Sequence, residues 1–277
     1  VATVVSFVFW EPIWEFVRRP YDEAARAQGL ADVRLLSLGP GEGFVAVLKL
    51  SFLAGVVAAA PVVLAQLWGF VAAGLYPHER RIVRLFFPVS LGLFALGILL
   101  AYSVLIPFGF RFLIAWNQGM GVGAQFGVSD YVSSCLTAVF AMAILFELPL
   151  VMLFVQGTGL VQRATLWKGW RWAVLLAFVV GAFLTPDPST VTQILMALPM
   201  VGLYFLGLYG GRFVGEEKQA FRWYHAWPLV LGAAVVVLLL VFARPLNDWA
   251  ARALGYGTAA PAPAAAPAPL PEAAPLR

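Results

Sequence analysis

Glu147, in the run FELPL, is the one formally ionisable carboxylate set well inside a long apolar segment of this chain. A charged side chain at that depth costs about 2.5 to 3.5 kcal/mol or more on insertion scales, so something must offset it. Glu147 can be protonated and donate to a backbone carbonyl freed where Pro149 interrupts the helical ladder. It can also be a polar docking point for another subunit's helix, or a proton-linked site. The two readings are compatible. A second carboxylate, Glu79, sits in LYPHERR between His78 and the pair Arg80-Arg81. It is either the internal partner of those basic neighbours at a membrane boundary or the acceptor for a basic peptide. The second option has a specific chemistry, because a carboxylate takes a guanidinium through two parallel hydrogen bonds. The residues alone leave that choice open. Gln66, Gln193 and Thr185 are weaker polar positions, suited to hydrogen bonds between helices.

No soluble-enzyme constellation stands beside these residues. His78 and His225 are the only histidines, and neither an H-E-x-x-H helix nor a G-x-x-x-x-G-K-[ST] phosphate loop occurs. The apolar segments offer no Ser/His, paired-Asp or zinc arrangement of the kind an intramembrane protease needs. A single cysteine, Cys135, rules out an intrachain disulfide and a cysteine-cluster zinc site. The sequence therefore predicts a chain that is not an enzyme, with no catalytic residues, no metal and no cofactor. The formal net charge of +4 is spread thinly, with no Lys/Arg run interleaved with aromatics, so a nucleic-acid partner is not expected.

The elements that position these groups follow from composition. Of 277 residues, 62% are hydrophobic and only 12% charged, and the mean hydropathy is +0.87. A soluble domain carries roughly 25% charged residues, so a bilayer is the solvent to read against. A hydrocarbon core of about 30 Å needs about 20 apolar residues as helix. Five such segments stand out, at Phe44 to Val71, Arg84 to Phe112, Tyr131 to Gly157, Thr190 to Gly210 and Ala226 to Ala243. Val1 to Trp10 reads as the end of a further span, and Trp170 to Leu184 as a short one. Pro61, Pro88, Pro107 and Pro199 fall inside spans and should bend them. Between Glu11 and Glu42 lies the largest hydrophilic stretch, whose Pro20 to Gly29 part reads as a short surface helix. From Gly257 onward, repeated Pro and Ala cannot bury a core and predict a disordered tail.

Orientation follows from Lys and Arg in short loops. Arg80, Arg81 and Arg84, then Arg163, Lys168 and Arg171, then Arg212, Lys218 and Arg222 mark one face, which the positive-inside rule makes cytoplasmic.

Three blocks, in order, resemble the TatC family of the twin-arginine protein translocase. LKLSFLAGVVAAAPVVLAQLWGFVAAGLYPHERR resembles its second helix and following H-E-R-R loop, FELPLVM its fourth helix with a buried Glu, and GAFLTPDPSTVTQILMALPMVGLY its fifth and sixth helices. The resemblance runs from about Trp10 to Arg212. It implies an all-α polytopic membrane protein, a kinked transmembrane bundle of six family helices with the first one truncated, plus an extra C-terminal span. The expected organisation is a TatC-like domain over 1–212, a linker and additional helix over 213–256, and a disordered tail over 257–277. Val1 begins directly in an apolar stretch, which fits a removed signal peptide or a truncated or misassigned start, and the resemblance favours truncation.

The family's function implies a signal-peptide receptor and translocase core in the inner membrane, exporting folded proteins with the proton-motive force. By motif position, Glu79 and Phe70 match the family's signal-peptide contacts. Glu147 matches its buried fourth-helix Glu, and Thr185 and Gln193 lie in its partner-docking region. TatA- and TatB-type single-span proteins, twin-arginine signal peptides and further copies of the chain are the implied partners. The sequence departs from the family pattern at Ala73, where Pro is usual, and at Phe205, where Glu often stands. The turn between Thr185 and Gln193 is also one residue longer. A proton- or ion-coupled small-solute transporter and a structural scaffold are the competing classes, the former lacking any internal repeat.

Overall fold

In the computed structural model, the described residues are 1–27, 35–74, 80–122, 125–184 and 190–210. The additional span from Ala226, the linker before it and the Pro/Ala tail lie outside them. The described residues are helical almost throughout. They form α1 (Ala2–Val8), α2 (Trp10–Ala27), α3 (Glu42–Ala73), α4 (Arg80–Leu100) and a π-helical turn (Ala101–Leu105) that leads into α5 (Ile106–Gly119). These are followed by α6 (Val128–Leu145), α7 (Leu148–Gly157), α8 (Arg163–Lys168), α9 (Trp170–Leu184) and α10 (Thr190–Gly210).

Among the described residues, three helical stretches are long and apolar enough to cross a membrane, Glu42–Ala73, Phe86–Gly119 and Val128–Gly157, with shorter apolar helices at Trp170–Phe183 and Met196–Gly210. At 1.5 Å per residue the 32-residue α3 is about 48 Å long, so a bilayer accommodates it by tilt or by extension beyond the hydrocarbon. The 15-residue α9 is as short as its sequence suggested. Pro61, Pro88 and Pro199 lie inside continuous helices. Pro107 instead follows the π turn, where the Ile106 N–H bonds the Ala101 carbonyl five residues back. A wider turn keeps the preceding carbonyls off the proline ring, which would clash with the residue four back in a regular α-helix.

Long spans pack closely where a side chain is missing. A Cβ on Gly97 of α4 would lie 2.6 Å from the Met142 carbonyl oxygen of α6, and one on Gly55 of α3 would lie 2.6 Å from the Thr3 backbone of α1. Small residues at such crossings let helix backbones touch, the usual device where lipid removes the hydrophobic drive between helices.

The hydrophilic stretch corrects the short helix expected at Pro20 to Gly29. Helix α2 begins at Trp10 and runs through Pro20. Its inner face places Tyr21, fully buried, edge-on to Phe110, Phe126 and Tyr131, with ring centroids 6.0, 6.1 and 5.4 Å away. Proline removes the N–H that would bond the Phe16 carbonyl. The Tyr102 hydroxyl donates to that carbonyl at 2.7 Å, and Tyr131 donates to the neighbouring Val17 carbonyl at 2.5 Å. Tyr102 also stacks its ring on Phe16, 4.4 Å between centroids.

At the same end of the bundle the two loops beside α2 are tied together. Leu36 and Gly127 form an isolated parallel bridge, in which the Leu36 N–H bonds the Phe126 carbonyl and the Val128 N–H bonds the Leu36 carbonyl, both at 2.9 Å. The Glu42 carboxylate accepts the Leu38 N–H and, at 2.9 Å, the Ser129 N–H in the first turn of α6. Lys49, two turns along α3 from Glu42, donates to the hydroxyls of Ser129 and Ser133 at 2.8 and 2.7 Å.

Candidate functional site

The polar groups inside the apolar bundle were the candidates for chemistry, and Glu147 is the deepest carboxylate among them. Helix α6 ends at Leu145 and α7 starts at Leu148, so Glu147 occupies the break and is the residue before the first turn of α7. Pro149 accounts for the break, because it lacks the N–H that would continue the ladder and is well suited to a helix's first turn. The Glu147 backbone carbonyl accepts the N–H groups of Leu150 and Val151, each at 3.0 Å, which fixes the start of α7. Its side-chain partner is not the freed carbonyl that the sequence suggested. The fully buried Ser90 of α4 donates its hydroxyl to Glu147 Oε2 at 2.7 Å. Glu147 Oε1 is buried without a hydrogen-bond partner among the described residues.

One turn from Ser90 on α4, Phe86 stands edge-on to Trp68 of α3, with centroids 5.4 Å apart. Trp68 also meets Phe154, two turns along α7 from Glu147, at 6.1 Å. These three aromatics close the seam between α3, α4 and α7 on the side nearer the end of α3. Two residues beyond buried Trp68, Phe70 points to the opposite face of α3 and is 81% exposed. A large aromatic presented outward in the last turns of a helix is a contact surface for lipid or for a bound chain.

Gln193, at the start of α10, donates from its side-chain nitrogen to the Phe178 carbonyl of α9 at 2.9 Å, joining the two short helices. At the other end of α10, the Tyr204 hydroxyl bonds the Leu166 carbonyl of α8 at 2.6 Å. Glu79 and Thr185 lie outside the described residues. The structure thus brings Glu147 together with a hydroxyl that sequence reading did not single out, leaves Phe70 outward, and gives Gln193 an interhelical bond. Ser90 was inconspicuous because one serine in an apolar run is common, whereas a carboxylate there is not. Among the described residues, no group of three or more His, Cys, Asp or Glu is gathered that could hold a metal ion.

A family model described as "Sec-independent protein translocase protein (TatC)" matches residues 1–199. The chain belongs to the TatC family. The match starts at residue 1, so it takes in α1 as well as the region from Trp10 that the motifs had marked. This TatC-family chain is 34% identical over 219 residues to the Sec-independent protein translocase protein TatC of Helicobacter pylori (strain ATCC 700392 / 26695), covering 79% of this chain and 82% of that relative. It is 31% identical over 223 residues to the TatC of Aquifex aeolicus (strain VF5), covering 79% of this chain and 89% of the relative. Its fold is similar to the crystal structure titled "Twin Arginine Translocase Receptor- TatC", with a TM-score of 0.67 at 31% identity over 77% of this chain and 91% of that one. This TatC-family member is accordingly a helical membrane protein and a subunit of the Sec-independent translocase, not a small-solute transporter.

Proposed function

We propose that this TatC-family chain is the receptor for twin-arginine signal peptides and the core on which the translocase assembles in the cytoplasmic membrane. The observation that carries the reading is the fold match to a TatC receptor, which spans 91% of that protein. Export of folded proteins then draws on the proton-motive force, and the chain itself performs no catalysis. The start of α4, with Arg80, Arg81 and Arg84, and the segment of α8 and the start of α9, with Arg163, Lys168 and Arg171, face the cytoplasm. Glu79 and Phe70 receive the signal peptide. Glu147, Thr185 and Gln193 dock the helices of TatA- and TatB-type single-span partners, and several copies of the chain share one complex.

The chemistry at Glu79 supports its part. A peptide bearing two arginines and arriving at a surface rich in Arg80, Arg81 and Arg84 is repelled unless a carboxylate accepts its guanidinium donors. Two-pronged acceptance also favours Arg over Lys. Site-specific cross-linking of a twin-Arg and a twin-Lys signal peptide to wild type, Glu79→Gln and Glu79→Lys in membrane vesicles tests the assignment. Wild type should capture the twin-Arg peptide preferentially and Glu79→Lys neither peptide. Undiminished capture by Glu79→Lys, with Arg and Lys peptides still distinguished, would sink the assignment.

A further inference from the structure

The hydrogen bond between Ser90 and Glu147 uses only half of the carboxyl. Oε2 accepts the Ser90 hydroxyl, while Oε1 is buried and has no partner among the described residues. A buried polar atom without a partner raises the free energy of the state that contains it. The elements on either side are fixed. Ser90 is fully buried on α4, which Phe86 anchors to Trp68 one turn away, and the Glu147 backbone is held by the N–H groups of Leu150 and Val151. The freedom that remains is rotation of the Glu147 side chain.

We infer that Ser90 is a latch that holds the Glu147 carboxyl in the seam between α4 and α7 until a partner helix offers donors for both of its oxygens. The inference rests on the reading of Glu147 as a docking point. The partner's chemistry follows from the two oxygens to be satisfied: an apolar single-span helix carrying, at the depth of Glu147, one amide side chain with its two N–H donors. On arrival, the partner replaces one hydrogen bond to Ser90 and satisfies an atom that had none. Partner and Ser90 therefore compete for the same group, and removal of the serine hydroxyl strengthens docking. A serine that merely supported the fold, or aimed the carboxyl outward, gives the opposite sign.

The test reconstitutes the full chain in phosphatidylethanolamine/phosphatidylglycerol vesicles and titrates it, by fluorescence energy transfer, with a purified TatB-type single-span protein. Ser90→Ala should dock about threefold more tightly, the factor that ~0.6 kcal/mol for one intramembrane hydrogen bond produces. Ser90→Thr keeps the hydroxyl and should retain the wild-type affinity. Should Ser90→Ala fail to insert, Ser90→Cys, a much weaker donor of similar size, is expected to change in the same direction. The infrared carboxyl band that is lost in Glu147→Gln should shift when partner is added to wild type, and should be displaced beforehand in Ser90→Ala. Unchanged or weaker docking by Ser90→Ala and Ser90→Cys, or a band that partner does not move, overturns the latch. Glu147→Leu separates the two levels. If that variant docks as well as wild type, the docking reading itself fails; if it loses docking while Ser90→Ala is no tighter, the latch alone fails.

Discussion

The Tyr102 hydroxyl donates to the Phe16 carbonyl at 2.7 Å, and Phe16 lies four residues before Pro20, the position whose helical hydrogen bond a proline cannot make. With Tyr131 donating to the adjacent Val17 carbonyl, two side chains from the membrane-spanning helices stitch the proline-bearing stretch of α2 to the bundle. That arrangement explains how a charged helix with an internal proline is held against an apolar core.

Tyr131→Phe removes the donor and leaves the Val17 carbonyl without that partner, a loss of about 1 to 3 kcal/mol. Hydrogen exchange in detergent micelles should accelerate through α2 while α3 keeps its protection. Tyr102→Phe should do the same more weakly, because its bond is more exposed to water. Wild-type protection of α2 in the double variant would show that the two hydroxyls do not hold the helix.

Tyr21, outside the spans, behaves differently. Its ring is fully buried and its hydroxyl has no hydrogen-bond partner among the described residues. Burial, and then the charge of Asp22, push its pKa up to about 12 against a smaller opposing effect of Arg18. The unfolded tyrosine ionises near 10, so the folded state binds the extra proton between about pH 10 and 12, and stability falls as pH rises through that window. Tyr21→Phe should match or exceed wild-type thermal stability at pH 9, and its advantage should widen by pH 11.5. An advantage that stays constant over that range would contradict the burial of the hydroxyl.

Gly97→Ala tests the close crossing of α4 and α6. The new methyl group would meet the Met142 carbonyl oxygen at 2.6 Å and its carbon at 2.9 Å, backbone atoms that cannot rotate away. Overpacking of this kind costs about 1 to 3 kcal/mol, read as a lowered Tm in detergent. Gly92→Ala, with nothing within 4 Å, should be neutral or slightly stabilising, since alanine is the better helix former. Equal Tm values for the two variants would mean that α4 and α6 can part at no cost.

The membrane spans were legible because a bilayer imposes a length on apolar runs, and Glu147 because a carboxylate inside such a run is conspicuous. The contacts of these groups were not. Pro20 and Gly29 looked like the limits of a helix, since the hydroxyls that complete α2 come from residues 86 and 114 positions away. Ser90 is 57 positions from Glu147, and no local pattern connects them. The π turn before Pro107 was equally hidden, because proline announces a disturbance but not which turn absorbs it. Lys49 did leave a trace, a lone cation in the apolar run VLKLSF, and its serine partners on α6 explain why that charge is tolerated.

The clasp at Glu42 has a consequence for the order of assembly. Its acceptor leaves the ribosome 87 residues ahead of the Ser129 N–H that it binds. At about 5 to 20 residues per second, Glu42 waits roughly 4 to 17 seconds for that partner. During the interval the first loop has no counterpart to pair with at Gly127, so the cap on this end of the bundle cannot close until α6 has begun to insert. Closure of the clasp therefore marks, during biogenesis, the moment at which the first three long spans are threaded together.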